Sequence, residues 1–115
     1  MPKWRAQVRL PEALDLAIRD FSVKQTIKLQ DLIEAMIRDG AETIRPQGAA
    51  YVFVTPAVWG ETSRVPVEYV IDQKYNAVVE SLTAGMAGAG KRGRALAEVI
   101  HLGAKKRGIE DKKTA

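Results

Sequence analysis

The chain has 115 residues, 46% of them hydrophobic, and 18 Lys and Arg against 14 Asp and Glu give it a net charge of +4. That length suits one compact domain or two small units sharing a core, and that composition excludes wholesale disorder. With no cysteine and a single histidine, His101, the chain cannot form disulfides, thiolate metal sites, cysteine nucleophiles or a histidine-built zinc site.

Residues 3–10 read as a strand. Ala6, Val8 and Leu10 alternate with Arg5, Gln7 and Arg9, giving one apolar and one polar face. The start leads into this alternation rather than into an apolar run, so no signal peptide is expected. No apolar run in the chain is long enough to span a bilayer. With the lack of cysteine, this fits a cytoplasmic setting without membrane attachment. Pro11 suits the first turn of a helix, where its missing N–H is not needed. Leu14, Ala17, Ile18 and Phe21 follow at helical spacing, so a first helix is expected over 11–23. Thr26 fits an N-cap. Leu29, Leu32, Ile33, Met36 and Ile37 form an apolar stripe that predicts a second helix over about 27–43, which Gly40 can end early. Residues 44–48, IRPQG, are a breaker cluster.

Tyr51, Val52, Phe53 and Val54 favour a strand by composition, but Pro56 and Gly60 bound them tightly. Residues 46–63 therefore read as a connector packed on the body through Tyr51, Phe53 and Trp59. A second strand is expected over 65–71 and a helix over 73–86. Residues 84–90 form a Gly-rich flexible loop, and a last helix should run over about 92–107. Residues 110–115 read as a frayed polar tail.

The strand-helix-helix pattern occurs twice. Residues 10–21, LPEALDLAIRDF, align without gaps on residues 71–82, IDQKYNAVVESL. Apolar positions coincide at Leu10/Ile71, Leu14/Tyr75, Leu16/Ala77, Ala17/Val78, Ile18/Val79 and Phe21/Leu82. Upstream, Ala6 and Val8 match Val67 and Tyr69. Downstream, 31–37, DLIEAMI, match 95–101, ALAEVIH. One strand with two helices cannot bury its own apolar faces, and an isolated two-stranded ribbon is marginal in water. Two repeats clasped around one core solve both problems, so a monomer with pseudo-twofold symmetry is expected.

The polar face of the first strand is suited to DNA. Arg can bond guanine O6 and N7, and Gln can bond adenine N6 and N7, in a major groove. Residues 1–60 hold 8 Lys and Arg against 7 Asp and Glu, and residues 61–115 hold 10 against 7. The excess lies in Lys91, Arg92 and Arg94, in Lys105, Lys106 and Arg107, and in Lys112 and Lys113, which points to a polyanion. Other signals are discounted. Residues 85–92, GMAGAGKR, miss a phosphate-binding loop at Arg92, where Ser or Thr is needed, and they follow a helix rather than a strand. His101 lies beside apolar Ile100 and Leu102 and reads as structural. Acidic residues are scattered singly along polar faces, with no pair placed for acid–base work. Trp4 reads as a core residue at the ribbon's end. A non-enzymatic protein without a cofactor is expected.

Segments 8–16, VRLPEALDL, and 28–37, KLQDLIEAMI, resemble the ribbon-helix-helix family of DNA-binding proteins. The doubled pattern resembles its single-chain tandem members, found among conjugation accessory proteins of the TraY type and the virulence-region proteins that assist T-DNA transfer. The resemblance covers about residues 3–44 and 64–108. It implies a mainly α fold with one short two-stranded antiparallel ribbon, a tandem, pseudo-dimeric ribbon-helix-helix. The first repeat would span 1–45 and the second 64–110, with a 111–115 tail and one shared core.

By this resemblance the partner is double-stranded DNA, together with other DNA-processing proteins. The ribbon enters the major groove and the N-terminus of each second helix clamps phosphate. The implied contact residues are Arg5, Gln7 and Arg9 on the ribbon, Lys24 and Lys28 before the second helix, Arg64 on the second strand, and Lys91, Arg92 and Arg94 before the last helix. The second strand departs from this pattern, because Pro66, Glu68 and Val70 stand where the first has Arg5, Gln7 and Arg9. That asymmetry favours an accessory role in DNA transfer over palindromic repression. The alternatives are a transcriptional repressor of the same fold and an antitoxin-like interaction module; the latter usually carries a longer toxin-binding tail than follows Gly108.

Overall fold

The structure is a computed structural model that describes residues 2–84, 86 and 88–109. Positions 85 and 87 of the Gly-rich loop, and the 110–115 tail, lie outside the described residues. In chain order the elements are β1 (Lys3–Pro11), α1 (Glu12–Lys24), α2 (Leu29–Ile44), a 3-10 turn (Arg45–Ala50), α3 (Thr55–Trp59), β2 (Arg64–Asp72), α4 (Lys74–Ser81) and α5 (Lys91–Lys106). The fold is mostly helical with one two-stranded sheet.

β1 and β2 pair antiparallel with Gln7 opposite Glu68. This is the register that the repeat alignment requires. Ala6, Val8 and Leu10 of β1 and Val67, Tyr69 and Ile71 of β2 all face the core and are buried. A slip of one residue would turn every one of them outward, so the apolar period fixes the pairing.

Pro11 closes β1 and caps α1 rather than entering its first turn. Glu12 and Asp15 sit in the first turn of α1 and Lys24 in its last, matching the helix dipole. Thr26 does not cap α2, whose N-cap is Lys28. Instead it closes α1. The Ile27 N–H donates to the Ser22 carbonyl at 2.9 Å and the Thr26 N–H to the Val23 carbonyl at 3.1 Å, with Thr26 at φ +55°. That is a Schellman closure with a threonine where glycine is usual. α5 ends by the same motif, with Gly108 in the left-handed position and Ile109 buried. The helix expected over 73–86 is shorter than its counterpart and ends at Ser81.

Gly40 does not end α2. It lies within the helix and is buried, as is Gly103 in α5. A Cβ on Gly40 would lie 2.5 Å from the Cα of Val99, and one on Gly103 would lie 2.5 Å from the Cα of Met36. The two longest helices thus cross in backbone contact at two reciprocal points. Both pairs are 63 residues apart, Gly40 with Gly103 and Met36 with Val99. Buried positions follow the same offset: Leu32, Ile33, Met36, Ile37, Gly40 and Ala41 against Ala95, Leu96, Val99, Ile100, Gly103 and Ala104. The alignment of 31–37 on 95–101 is therefore one residue out of register.

The two halves of the chain interleave. α2 packs on β2 and α5 on β1, so each long helix supports the strand from the other half. The Tyr69 hydroxyl of β2 donates to Asp15 of α1 at 2.6 Å, and Arg38 of α2 donates to the Tyr75 hydroxyl of α4 at 2.6 Å. Burial, followed by the Asp15 hydrogen bond, pushes the Tyr69 hydroxyl well above the usual phenol range. At the far end Arg107 donates to Asp39, and Lys106 lies 3.6 Å from the same carboxylate.

The connector packs on the body as expected, through buried Trp59 and half-buried Tyr51 and Phe53, but without a strand. Its anchor is Glu98, which belongs to α5 and is fully buried rather than on a polar face. The carboxyl of Glu98 accepts hydrogen bonds from the Tyr51 hydroxyl, from the Val54 N–H at 2.9 Å and from the Thr55 N–H at 3.1 Å. The last two are free donors at the start of α3, so Glu98 caps that helix from a distance. His101 meets Trp59 edge-on, with ring centroids 5.8 Å apart. Burial lowers its pKa, Glu98 opposes this and Lys105 adds to it.

Two outcomes follow from the α2–α5 contact. Gly40→Ala and Gly103→Ala should each destabilise by about 1–3 kcal/mol in urea titrations, because over-packing against backbone outweighs the helix-propensity gain. Gly93→Ala, with nothing within 4 Å of its Cβ, should instead stabilise by about 0.5–1 kcal/mol. Burial pulls the Asp39 pKa up, but the hydrogen bond and charge of Arg107, with Lys106, outweigh it and hold the pKa below the ordinary 3.8. The folded value is thus depressed. The contribution is present above the unfolded pKa and disappears as pH falls through the folded one. Asp39→Asn should lower the melting temperature at pH 7, and the gap to wild type should close in acid.

Candidate functional site

The antiparallel pairing sets three cross-strand pairs on the outer face of the ribbon: Arg5 with Val70, Gln7 with Glu68, and Arg9 with Pro66. All six residues are exposed. Lys3 extends the row by the same period of two, a cation outside the expected contact set although the alternation contains it. The face is cross-linked by its own side chains. Glu68 accepts from Gln7 Nε2 at 3.4 Å and lies 3.7 Å from Arg5 Nη1. Arg9 donates to the Arg64 carbonyl at 3.1 Å. The Arg5 side chain is 78% exposed, so its pair with Glu68 is well screened.

Helix N-termini flank the ribbon at its two ends. At one end the Lys3 ammonium donates to Gln30 in the first turn of α2 at 2.8 Å. Glu34, one turn on, accepts from the Asp72 N–H at 2.9 Å and from Gln30 at 2.9 Å. Lys28 is exposed at the N-cap of that helix, with extended backbone. Lys24 also lies in this region, paired to Asp20 at 3.1 Å. At the other end Gly90, Gly93 and Arg94 share a cavity wall with Arg9, Arg64 and Pro66, which brings the first turn of α5 to the ribbon.

Three of the expected contact residues are drawn elsewhere than the open ribbon face. Arg64 is half-buried, with its guanidinium 5.2 Å over the ring of Trp59. Arg92 is paired to Glu80 of α4 at 2.8 Å, and Arg94 lines the cavity. Lys91 is exposed at the start of α5. The structure therefore brings Arg9, Arg64 and Arg94, with the central Gln7, to one cavity at the Pro11 end of the ribbon. It leaves Arg5 in the other half of the ribbon, reaching toward Glu68, and Lys24 and Lys28 beside α2. The Trp59–Arg64 stack was not legible, because a tryptophan and an arginine five residues apart across a turn carry no periodic signal.

Chemically, the outer face offers Arg and Gln donors in a row, with one carboxylate among them. Among the described residues no group of three His, Asp or Glu side chains is placed to hold a metal ion, and no helix is long and apolar enough to cross a membrane. No family model, curated protein or solved structure matches the chain.

Because the Glu68 contacts are solvent-screened, they set the charge of the face without holding the fold. Glu68→Gln should change unfolding free energy by less than about 0.5 kcal/mol in urea titrations. A drop several times that size would mean the pair is structural.

Proposed function

We propose that the chain is a tandem ribbon-helix-helix protein that binds double-stranded DNA without catalysing a reaction. One observation carries this reading. The ribbon presents Arg5, Gln7 and Arg9 outward, and the N-termini of the two longest helices stand at its two ends. A two-stranded ribbon fits the major groove, and Arg and Gln are the side chains that bond purine edges there. Free N–H groups and the positive dipole end at each helix start suit the flanking phosphates. Both strands come from one chain, so the dimer that family members form between chains is here internal.

The two halves of the face differ, and that difference favours an accessory role on an asymmetric site, as in conjugative or T-DNA-like transfer, over repression from a palindrome. The β1 half carries donors. The β2 half carries Val70, Glu68 and Pro66, of which only Glu68 can bond a base, by accepting from cytosine N4.

Fluorescence anisotropy against duplex DNA at two salt concentrations tests the proposal. Arg5→Ala and Arg9→Ala should weaken binding, and on a preferred site each bidentate base pairing removed should cost roughly 1–3 kcal/mol of discrimination. Glu68→Ala should bind as well as wild type or better. Neutralising Lys91, Arg92 and Arg94 should weaken binding to all sequences alike. The slope of log affinity against log salt should flatten by about 0.9 for each phosphate that is no longer neutralised. Undiminished binding by the Arg5/Arg9 double variant would remove the ribbon as the contact surface.

A further inference from the structure

A cavity of about 750 Å³ opens between the Arg64 end of the ribbon, the connector and the first turn of α5. Its size falls within the range of about 300–1,000 Å³ common to small-molecule sites. Tyr51, Phe53, Trp59 and Leu82 supply apolar wall. Arg9, Arg64 and Arg94 also line it, and among the described residues no Asp or Glu does. Glu98 lies behind the wall, and its carboxyl is occupied by Tyr51, Val54 and Thr55. Three arginines thus line an apolar hollow that no described carboxylate lines.

The Arg64 guanidinium lies 5.2 Å over the ring of Trp59, which holds it at the cavity wall. Arginine, moreover, holds carboxylates and related oxyanions through paired N–H donors. The first turn of α5 adds the positive end of a sixteen-residue helix to the same wall.

We propose that this cavity binds a small amphipathic organic anion. Arg64 and Arg94, with Arg9 at the mouth, hold its oxyanion, and its apolar body lies against Tyr51, Phe53, Trp59 and Leu82. The proposal does not rest on the DNA-binding reading, although the two share Arg9 and Arg94, and Gln7 and Arg9 bring the cavity to the ribbon's edge.

The probe is 1-anilinonaphthalene-8-sulfonate, an aromatic anion, titrated into the full chain and followed by fluorescence. Saturable binding at one site per chain is expected, with near-ultraviolet circular dichroism unchanged. Decanoate should displace the probe at least tenfold more effectively than decanol, which has the same chain and no charge. Arg64→Met and Arg94→Met should each weaken the probe at least tenfold. Ala49→Trp, which fills the cavity from the 3-10 turn without replacing an arginine, should abolish binding. Should Arg64→Met fail to fold, Arg94→Met and Ala49→Trp carry the test. Non-saturable binding, equal displacement by decanol, or affinity indifferent to Arg94→Met and Ala49→Trp would each overturn the proposal.

Discussion

Where Gly40 meets Val99 and Gly103 meets Met36, two sixteen-residue helices come into backbone contact, and the layers above inherit that geometry. Any side chain at either glycine would hold the helices apart. With the helices in contact, Ile33, Met36 and Ile37 of α2 and Leu96, Val99 and Ile100 of α5 become a floor almost wholly shielded from water. The ribbon lies on that floor with six inward side chains, and each strand is held by the long helix from the other half of the chain. Neither half therefore has a core of its own. Folding one half would leave its apolar strand face and helix stripe open to solvent, so the two halves order together.

The second half carries a burden that the first does not. The connector must travel from the end of α2 to the start of β2 while crossing α5, and its backbone donors need acceptors along the way. Glu98 supplies them from the core. A carboxyl group that is buried is tolerated only when its hydrogen-bonding capacity is filled, and here the Tyr51 hydroxyl and two backbone N–H groups fill it. The same arrangement raises the Tyr51 hydroxyl pKa, through burial first and the Glu98 contact second. Fixing the connector at Glu98 and Trp59 also creates the arginine-lined cavity, since the connector forms one of its walls.

The ribbon was legible because a period of two admits only one inward set, and the gapless repeat then fixes which residues pair. Helix positions were legible from their apolar stripes. What escaped needed partners distant in sequence. Glu98 lies 43 to 47 residues from the groups it anchors, so by sequence it resembles any helical glutamate. Thr26 sits in the short stretch between two helices, where the closing residue of one and the cap of the next occupy the same few positions. Its hydroxyl suggests the cap, but its backbone makes the closure. Gly40 reads as a helix end only while its partner helix is unknown, yet a signal is present. The dipeptide Gly40-Ala41 recurs as Gly103-Ala104, and that pair sets the register of the second helices correctly.

For the proposed DNA-binding role, the consequential asymmetry is Glu68. In a ribbon built from identical strands the central cross-strand pair would be two copies of one residue. Here Gln7 faces an acceptor, and that acceptor also draws Arg5. In the free protein Glu68 thus cancels part of the charge that β1 presents. Exposed contacts of this kind are worth no more than about 1 kcal/mol, so a duplex could break them at little cost. Once they are broken, the two halves of the face behave differently. Arg5 and Arg9 gain from phosphates and purine edges wherever the ribbon sits. Glu68 is repelled by phosphate and gains only where a cytosine amino group comes within reach. On the proposed reading, a single carboxylate at the centre of the ribbon would therefore oppose indiscriminate backbone binding and favour one orientation on an asymmetric site.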